Sequence, residues 1–435
     1  MADWSFAVRA LKSRNYRLFF GGQSISMIGT WMTRIATSWL VYRLTDSAAL
    51  LGIVSFAGQI PMFFLGPIAG VWVDRLDRHR TLVITQILSM LQSFALAVLA
   101  LTHVINIWEI LFLSLMQGLI NTFDMPSRQA FVVQMVENRE DLSNAIALNS
   151  SMVNASRLVG PAVAGVVIAA WGEGYCFLID GISFLAVIAS LLMMRITVTQ
   201  IRAAQRNVGQ ELHEGWRYVV DSMAIRSILL LLAVVSLVGF PYSVLMPIFA
   251  SDILHGGPHT LGFLMAPSGV GALIGAISLA MRKSVVGLGR YIAICAALFG
   301  ISLMAFSLSR MLWLSMTLMA VTGFGFMQQM ASSNTVLQTI VEDQKRGRVM
   351  AFYGMAFLGM APFGSLLAGG LAARIGAPAT LFWCGAITLG ASLWFSRRLP
   401  AIRAEVRPLY IKLGILPEMA MAVQQASALQ TPPED

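Results

Sequence analysis

The chain has 435 residues, 57% of them hydrophobic and only 12% charged, and a mean hydropathy of +0.73. That is more apolar surface than a water-soluble domain can cover, which excludes a soluble enzyme and describes a polytopic membrane protein. The net charge of +9 raises the question of a nucleic-acid partner, but the charges lie between apolar segments, where they orient a membrane protein, so no nucleic acid is expected.

Taken in chain order, a basic leader with Arg9, Lys12, Arg14 and Arg17 runs straight into a full-length apolar span, which is expected to stay uncleaved. A crossing helix needs about 20 mostly apolar residues. Stretches of that kind fall near 18–42, 48–73, 81–102, 108–134, 143–171 and 175–194, then, after a polar stretch at 195–224, near 227–253, 259–281, 290–308, 312–340, 349–373 and 378–396. The pattern predicts an all-α membrane protein with twelve transmembrane helices in two six-helix, pseudo-symmetric halves. Residues 1–194 form the first bundle, 195–226 a cytoplasmic linker, 227–396 the second bundle and 397–435 a cytoplasmic tail. With the N-terminus inside, 24 of the 30 lysines and arginines fall on the cytoplasmic side, so both termini are expected there. Cys176, Cys295 and Cys384 all lie in apolar stretches and imply no disulfide framework.

The halves echo one another. Gly160, Gly165 and Gly172 of span five recur as Gly364, Gly369 and Gly376 of span eleven at a constant offset of 204 residues, and Gln134 recurs as Gln338. Pro61, Gly66 and Gly70 of span two answer in the same way to Pro267, Gly271 and Gly275. A parallel repeat joined by a long cytoplasmic connection is a transporter pattern, with substrate held near the midplane between halves.

After span two the chain reads Gly70-Val-Trp-Val-Asp74-Arg75-Leu-Asp77-Arg78-His79-Arg80. This closely resembles the signature loop of the major facilitator superfamily, with Asp77 where glycine is usual and His79 where a second basic residue is usual. Span five carries Ser156-Arg157-Leu-Val-Gly160-Pro161-Ala-Val-Ala164-Gly165, which looks like the glycine-proline motif of that superfamily's exporters; small residues and proline let such a helix bend and pack tightly. Gly29-Thr-Trp31-Met32 in span one, Phe123-Asp124-Met-Pro126-Ser-Arg128-Gln129-Ala130 in span four and Asn144-Ala-Ile-Ala-Leu-Asn149-Ser150 before span five are similar to the branch of bacterial siderophore (enterobactin-type) exporters and macrolide or drug efflux proteins. The resemblance implies that Gly70, Asp74, Arg75, Arg78 and Arg128 form a conformational latch. It also implies that spans one, four, seven and ten line the cavity.

A lone charge at the centre of a span costs on the order of 3 kcal/mol on insertion scales. Asp124 and Arg128 lie four apart on one helix face and can neutralise each other, or Arg128 can reach Asp74. Asp124 is the first proton-carrier candidate and Asp180 the second. Arg34 and Arg157 have no acid at helical spacing; Asp180 is an available partner for Arg157. On the resemblance, Arg34 faces substrate, where an unpaired arginine suits a carboxylate or catecholate. Trp31, Met27, Gln117, Asn121, Arg157, Tyr242, Ser243, Gln328, Gln329 and Asn334 complete the expected wall. His255 and His259 flank a Gly-Gly-Pro loop without rigid ligand spacing, and no phosphate-cradling Gly-Lys-Ser/Thr loop is present, so neither metal, cofactor nor ATP is expected. The expectation is a monomeric secondary transporter of the bacterial inner membrane, not an enzyme. It would export a small, acidic organic molecule, first of all a siderophore, in exchange for protons. Multidrug or macrolide efflux, lysophospholipid transport and a non-transporting membrane partner are the alternatives.

Overall fold

In lipid, backbone N–H and C=O groups find no water, so a spanning chain satisfies them internally as helix. Each of the twelve apolar ranges is helical in the computed structural model, which describes residues 9–73, 76–195, 208–282, 284–413 and 415. The first half comprises α1 (Arg14–Thr45), α2 (Ala48–Val73), α3 (Arg78–Leu101), α4 (Ile107–Met135), α5 (Leu142–Trp171) and α6 (Glu173–Leu192). Helix α7 (Val208–Asp221) lies in the linker. The second half comprises α8 (Met223–Val234), α9 (Pro258–Ala280), α10 (Leu288–Leu308), α11 (Leu312–Ile340), α12 (Asp343–Gly354), α13 (Ala361–Ile375) and α14 (Ala377–Lys412).

Local chemistry sets the ends. Asp77 caps α3, its Oδ1 accepting from the Arg80 N–H at 3.1 Å, so the residue that departs from the signature loop starts a helix. Asn106 and Glu109 form a reciprocal capping box on α4. Gly172 and Gly376, related by the repeat, take φ of +93° and +84°, a region closed to most side chains, and each separates two consecutive helices. Proline accounts for a difference between halves. Beyond α8 the chain passes through π-helical turns at Val235–Gly239 and Phe249–Ile253 that flank Pro241 and Pro247, and Met355–Gly359 makes another just before Pro362. A missing N–H and a crowded preceding turn break the regular ladder there.

Two boundaries differ from the sequence expectation. The linker contains α7, which packs on α12: Arg348 pairs with Glu214 at 2.7 Å and Trp216 meets Phe352 with ring centroids 6.0 Å apart. Helix α14 does not end near 396. Leu399, Ile402, Val406 and Tyr410 keep a buried helical stripe through Lys412, and Glu405 accepts from the Ser222 hydroxyl at 2.7 Å and the Ala224 N–H at 3.0 Å, tying the extension to the start of α8.

Among the described residues nine helical stretches are long and apolar enough to cross a membrane. Helices α1, α4 and α11 are not among them, although their 32, 29 and 29 residues reach more than 40 Å at 1.5 Å per residue, beyond the roughly 30 Å of hydrocarbon. Their polar residues lower the apolar content, and many of them, Gln23, Ser26, Asp124, Ser127, Gln328 and Gln329 among them, are buried against protein. In the first half α1 packs on α5 and α6, α3 on α4 and α6, and α2 on α4; in the second, α9 packs on α11, and α10 on α11 and α14.

The halves meet along α5 with α9 and α2 with α13, two lines that the repeat exchanges. Both use facing glycines. A Cβ on Gly165 would lie 3.1 Å from Gly262 Cα, and one on Gly369 2.8 Å from Gly52 Cα. Gly160 gives α5 its close approach to Trp31 of α1, and its repeat mate Gly364 gives α13 its approach to Pro241. The glycine-proline motif is therefore a packing face between helices and between halves.

Candidate functional site

At the end of the molecule where α1 begins, the loop after α2 carries the signature motif. Gly70 lies near the end of α2, while Asp74 and Arg75 lie outside the described residues. The rest of the motif joins helices. Arg78 donates to the Ala130 carbonyl of α4 at 3.4 Å, and His79 Nε2 donates to the Leu191 carbonyl of α6 at 2.8 Å. Arg128 forms an ion pair with Asp124, one turn away on α4. Asp124 is only 4% exposed and its Oδ1 also accepts from Thr85 Oγ1 at 2.9 Å and Gln86 Nε2 at 2.6 Å. This carboxylate therefore has a cation on one oxygen and two neutral donors on the other.

Midway along the molecule, cationic and aromatic side chains gather from three helices. The Arg34 guanidinium lies 5.2 Å from the centroid of the Trp31 ring, and the Arg157 guanidinium from α5 lies 5.9 Å from the same ring. Arg157 is also 6.0 Å from the ring of Phe326 on α11, so the cluster bridges the halves. Arg34 is exposed and Trp31 and Arg157 are half-buried. Neither arginine has a carboxylate within ion-pair distance among the described residues. Guanidinium groups over ring faces are held by the ring quadrupole while their N–H donors stay available.

Asp180 does not serve Arg157. It is 2% exposed, and its Oδ2 accepts from Thr33 Oγ1 at 2.8 Å and Ser93 Oγ at 2.9 Å, which places it at the junction of α1, α3 and α6. Among the described residues its Oδ1 has no hydrogen-bond partner.

On the second half, several residues expected on the cavity wall are inside the bundle. Gln328 and Gln329 are 0% exposed; Gln328 donates to the Gly275 carbonyl at 2.8 Å and Gln329 to Ser333 Oγ at 3.4 Å. Tyr242 is buried with its hydroxyl 2.8 Å from Ser268 Oγ. For the two glutamines the reason is that their helix, α11, packs on α9 and α10. Asn334 accepts from Gln338 at 2.6 Å, and Gln117 donates to Asn121 at 3.1 Å; of these, Asn121 is exposed and Gln117 and Asn334 half-buried.

The opposite end of the molecule, where α1 finishes, holds contacts that the sequence reading did not anticipate. Tyr42 donates to Asp252 across the halves, Ser55 to Ser365 at 3.1 Å, and the Phe363 ring lies 5.1 Å from Phe63 and 6.1 Å from Phe56. Beside them Arg43 donates to buried Glu173 at 2.8 Å. An acid and a tyrosine some two hundred residues apart give no periodic signal.

With this geometry in view, comparison with known proteins is informative. Residues 6–427 match the family model described as transmembrane secretion effector. The chain is 26% identical over 359 residues to the staphyloferrin A transporter of Staphylococcus aureus, covering 81% of this chain and 88% of that one. It is 28% identical over 362 residues to the multidrug efflux pump Tap of Mycolicibacterium fortuitum, with the same coverage of 81% and 88%. A crystal structure of the nucleoside transporter NupG superposes with a TM-score of 0.68 at 14% identity, covering 89% of this chain and 98% of that one, which shows the fold alone.

Proposed function

The chain belongs to the transmembrane secretion effector family of the major facilitator superfamily and is therefore an efflux transporter of the membrane, not an enzyme; we propose that it exports an acidic organic molecule of the siderophore kind across a bacterial inner membrane in exchange for protons. In this reading all twelve helical ranges cross the bilayer, α1, α4 and α11 included, because each is long enough to span it and many of their polar residues are buried inside the bundle. Both termini lie in the cytoplasm, as the lysine and arginine distribution requires. The protein works as a monomer, the substrate path lying within one chain.

The observation that carries the cargo assignment is the cluster of Arg34, Trp31, Arg157 and Phe326 between the halves. Two unpaired guanidinium groups attract carboxylate or catecholate oxygens, and the rings accept the flat part of the same molecule. Hydrogen bonds and ring contacts between the halves gather at the outer end, around Tyr42, Asp252, Ser55, Ser365 and Phe363, so this conformation faces the cytoplasm. Alternating access then consists of separating the facing glycines of α2 and α13 and of α5 and α9 while the inner loops close. Gly70, Asp74, Arg75, Arg78 and Arg128 form the inner latch of that cycle, with Arg78 and His79 anchoring its flank.

The test is counterflow by purified protein in liposomes with citrate as acidic probe and erythromycin as macrolide probe. Arg34→Gln is expected to weaken citrate by roughly ten- to a hundredfold, the 1.5–3 kcal/mol of a hydrogen bond to a charged group, and to leave erythromycin nearly unchanged. Equal losses for both would make Arg34 a structural residue. A wild-type protein that moves erythromycin alone would favour the second reading, multidrug efflux, which the likeness to Tap and the aromatic side chains of the cluster support.

A further inference from the structure

The two acids inside the first half are not equivalent. Asp124 has a cation and two neutral donors on its oxygens. A proton arriving there must displace Arg128. Asp180 has hydroxyls from Thr33 and Ser93 on one oxygen, none on the other, and no cation within ion-pair distance among the described residues. The titratable groups on the elements packed around it are Arg14, Tyr16, Arg17, Arg34, Tyr42 and Arg43 on α1, Arg78, His79 and Arg80 at the start of α3, Arg157 on α5, and Glu173, Tyr175 and Cys176 on its own helix. Of these, Arg43 and Glu173 are paired with each other, Arg34 and Arg157 stack on Trp31, and Cys176 lies within reach of the Ala164 carbonyl.

One residue of α1 packs directly against Asp180. A Cβ on Gly29 would stand 2.7 Å from Asp180 Oδ1 and 2.7 Å from Ser183 Oγ, so the absence of a side chain at Gly29 makes room for the unpartnered oxygen. Thr33, which holds the other oxygen, immediately precedes Arg34. One helix thus touches the buried acid with one side chain and presents a guanidinium to the space between the halves with the next.

We infer that Asp180, cradled by Gly29, Thr33 and Ser93, is the site where the exchanged proton is carried, and that α1 couples it to Arg34. This deepens the proton-exchange reading above and rests on it. The step is a proton transfer alone: an O–H bond forms at Oδ1 when the carboxylate takes a proton from one aqueous face and breaks when it yields the proton to the other. Protonation weakens the charge-assisted bonds from Thr33 and Ser93 and lets α1 shift against α3 and α6. Coupling between sites is reciprocal, so a ligand that pulls on Arg34 changes proton binding at Asp180. Gly29, Thr33 and Ser93 are positioning residues.

Infrared difference spectra of the purified wild-type protein in lipid nanodiscs, recorded across a pH step, are expected to contain the carbonyl band of a buried carboxylic acid. That band is expected to vanish in Asp180→Asn and to persist in Asp124→Asn. In liposomes, Asp180→Asn is expected to abolish uphill accumulation of citrate or erythromycin while downhill counterflow continues, and Gly29→Ala or Thr33→Val to move the pH midpoint of the band. A band and uphill transport unchanged in Asp180→Asn overturn the assignment, and their loss in Asp124→Asn instead gives the role to Asp124. A wild type that moves either probe with no accompanying proton movement sinks the proton-exchange reading and this site with it; one that moves neither probe sinks the transport reading, while the infrared band still decides whether Asp180 binds a proton. Should Asp180→Asn fail to fold, Asp180→Glu is expected to keep the band at a shifted pH midpoint, and an unshifted midpoint overturns the proposal.

Discussion

The two halves share a fold and a glycine pattern but divide the chemistry between them. Arg34, Asp124, Arg128, Arg157 and Asp180, the charged side chains well inside the described spans, all belong to the first half. At the offset of 204 residues Asp124 and Arg128 answer to Gln328 and Ser332, both buried, and the second half interrupts its helices with π-helical turns. A charge in low dielectric must be paired or be in use, whereas an amide or hydroxyl is tolerated on modest hydrogen bonding. The first half thus carries the charges, and the second neutral polar groups and helix interruptions.

The sharpest way to break this contrast is to unpair a charge. Arg128→Ala leaves the Asp124 carboxylate buried without its cation and is expected to cost roughly 3–5 kcal/mol, seen as a large drop in unfolding temperature in detergent. Adding Asp124→Asn should recover most of it. A single mutant as stable as wild type would show that the pair contributes nothing to the fold.

A smaller effect is expected where the halves touch. Gly369→Val puts methyl groups against Gly52 and the Ala48 carbonyl, an overpacking cost of about 1–3 kcal/mol borne by the conformation closed at the outer end. Spin labels at Tyr42 and Asp252 should report a longer mean distance in the variant. The wild-type distance distribution would mean that α2 and α13 are not a moving contact.

The least effect belongs to the second half. Ser332 is fully buried and its hydroxyl has no partner, so Ser332→Ala removes a desolvated group rather than a bond and should change stability by less than the roughly 1 kcal/mol of a typical hydrogen bond. A loss of several kcal/mol would reveal a polar network as demanding as that of the first half.

Much of this arrangement is legible along the chain, and where it is not the cause is specific. Gly165 and Gly369 stand out by their offset because close approach of helices leaves only glycine, and a repeat prints that demand twice. Arg34 stands out because a charge in an apolar run has no other account. Tyr242, Gln328 and Gln329 mislead: a polar side chain in a span looks alike whether it faces a path or a neighbouring helix, and only packing distinguishes the two. Helix α14 outruns its apolar run because a single buried stripe, with no average hydrophobicity to betray it, suffices to continue a helix.

Composition and periodicity by themselves determined that the chain is a helical membrane protein and where its long helices fall. These follow from the cost of exposing backbone and charge to lipid, which every residue meets locally. Tertiary structure alone decided the partners: Arg128 for Asp124, two hydroxyls and no cation for Asp180, Trp31 and Phe326 for Arg157, Tyr42 for Asp252. A charge is compensated by whatever lies within a few ångströms of it, and which side chains those are depends on how helices distant in the sequence come to lie side by side.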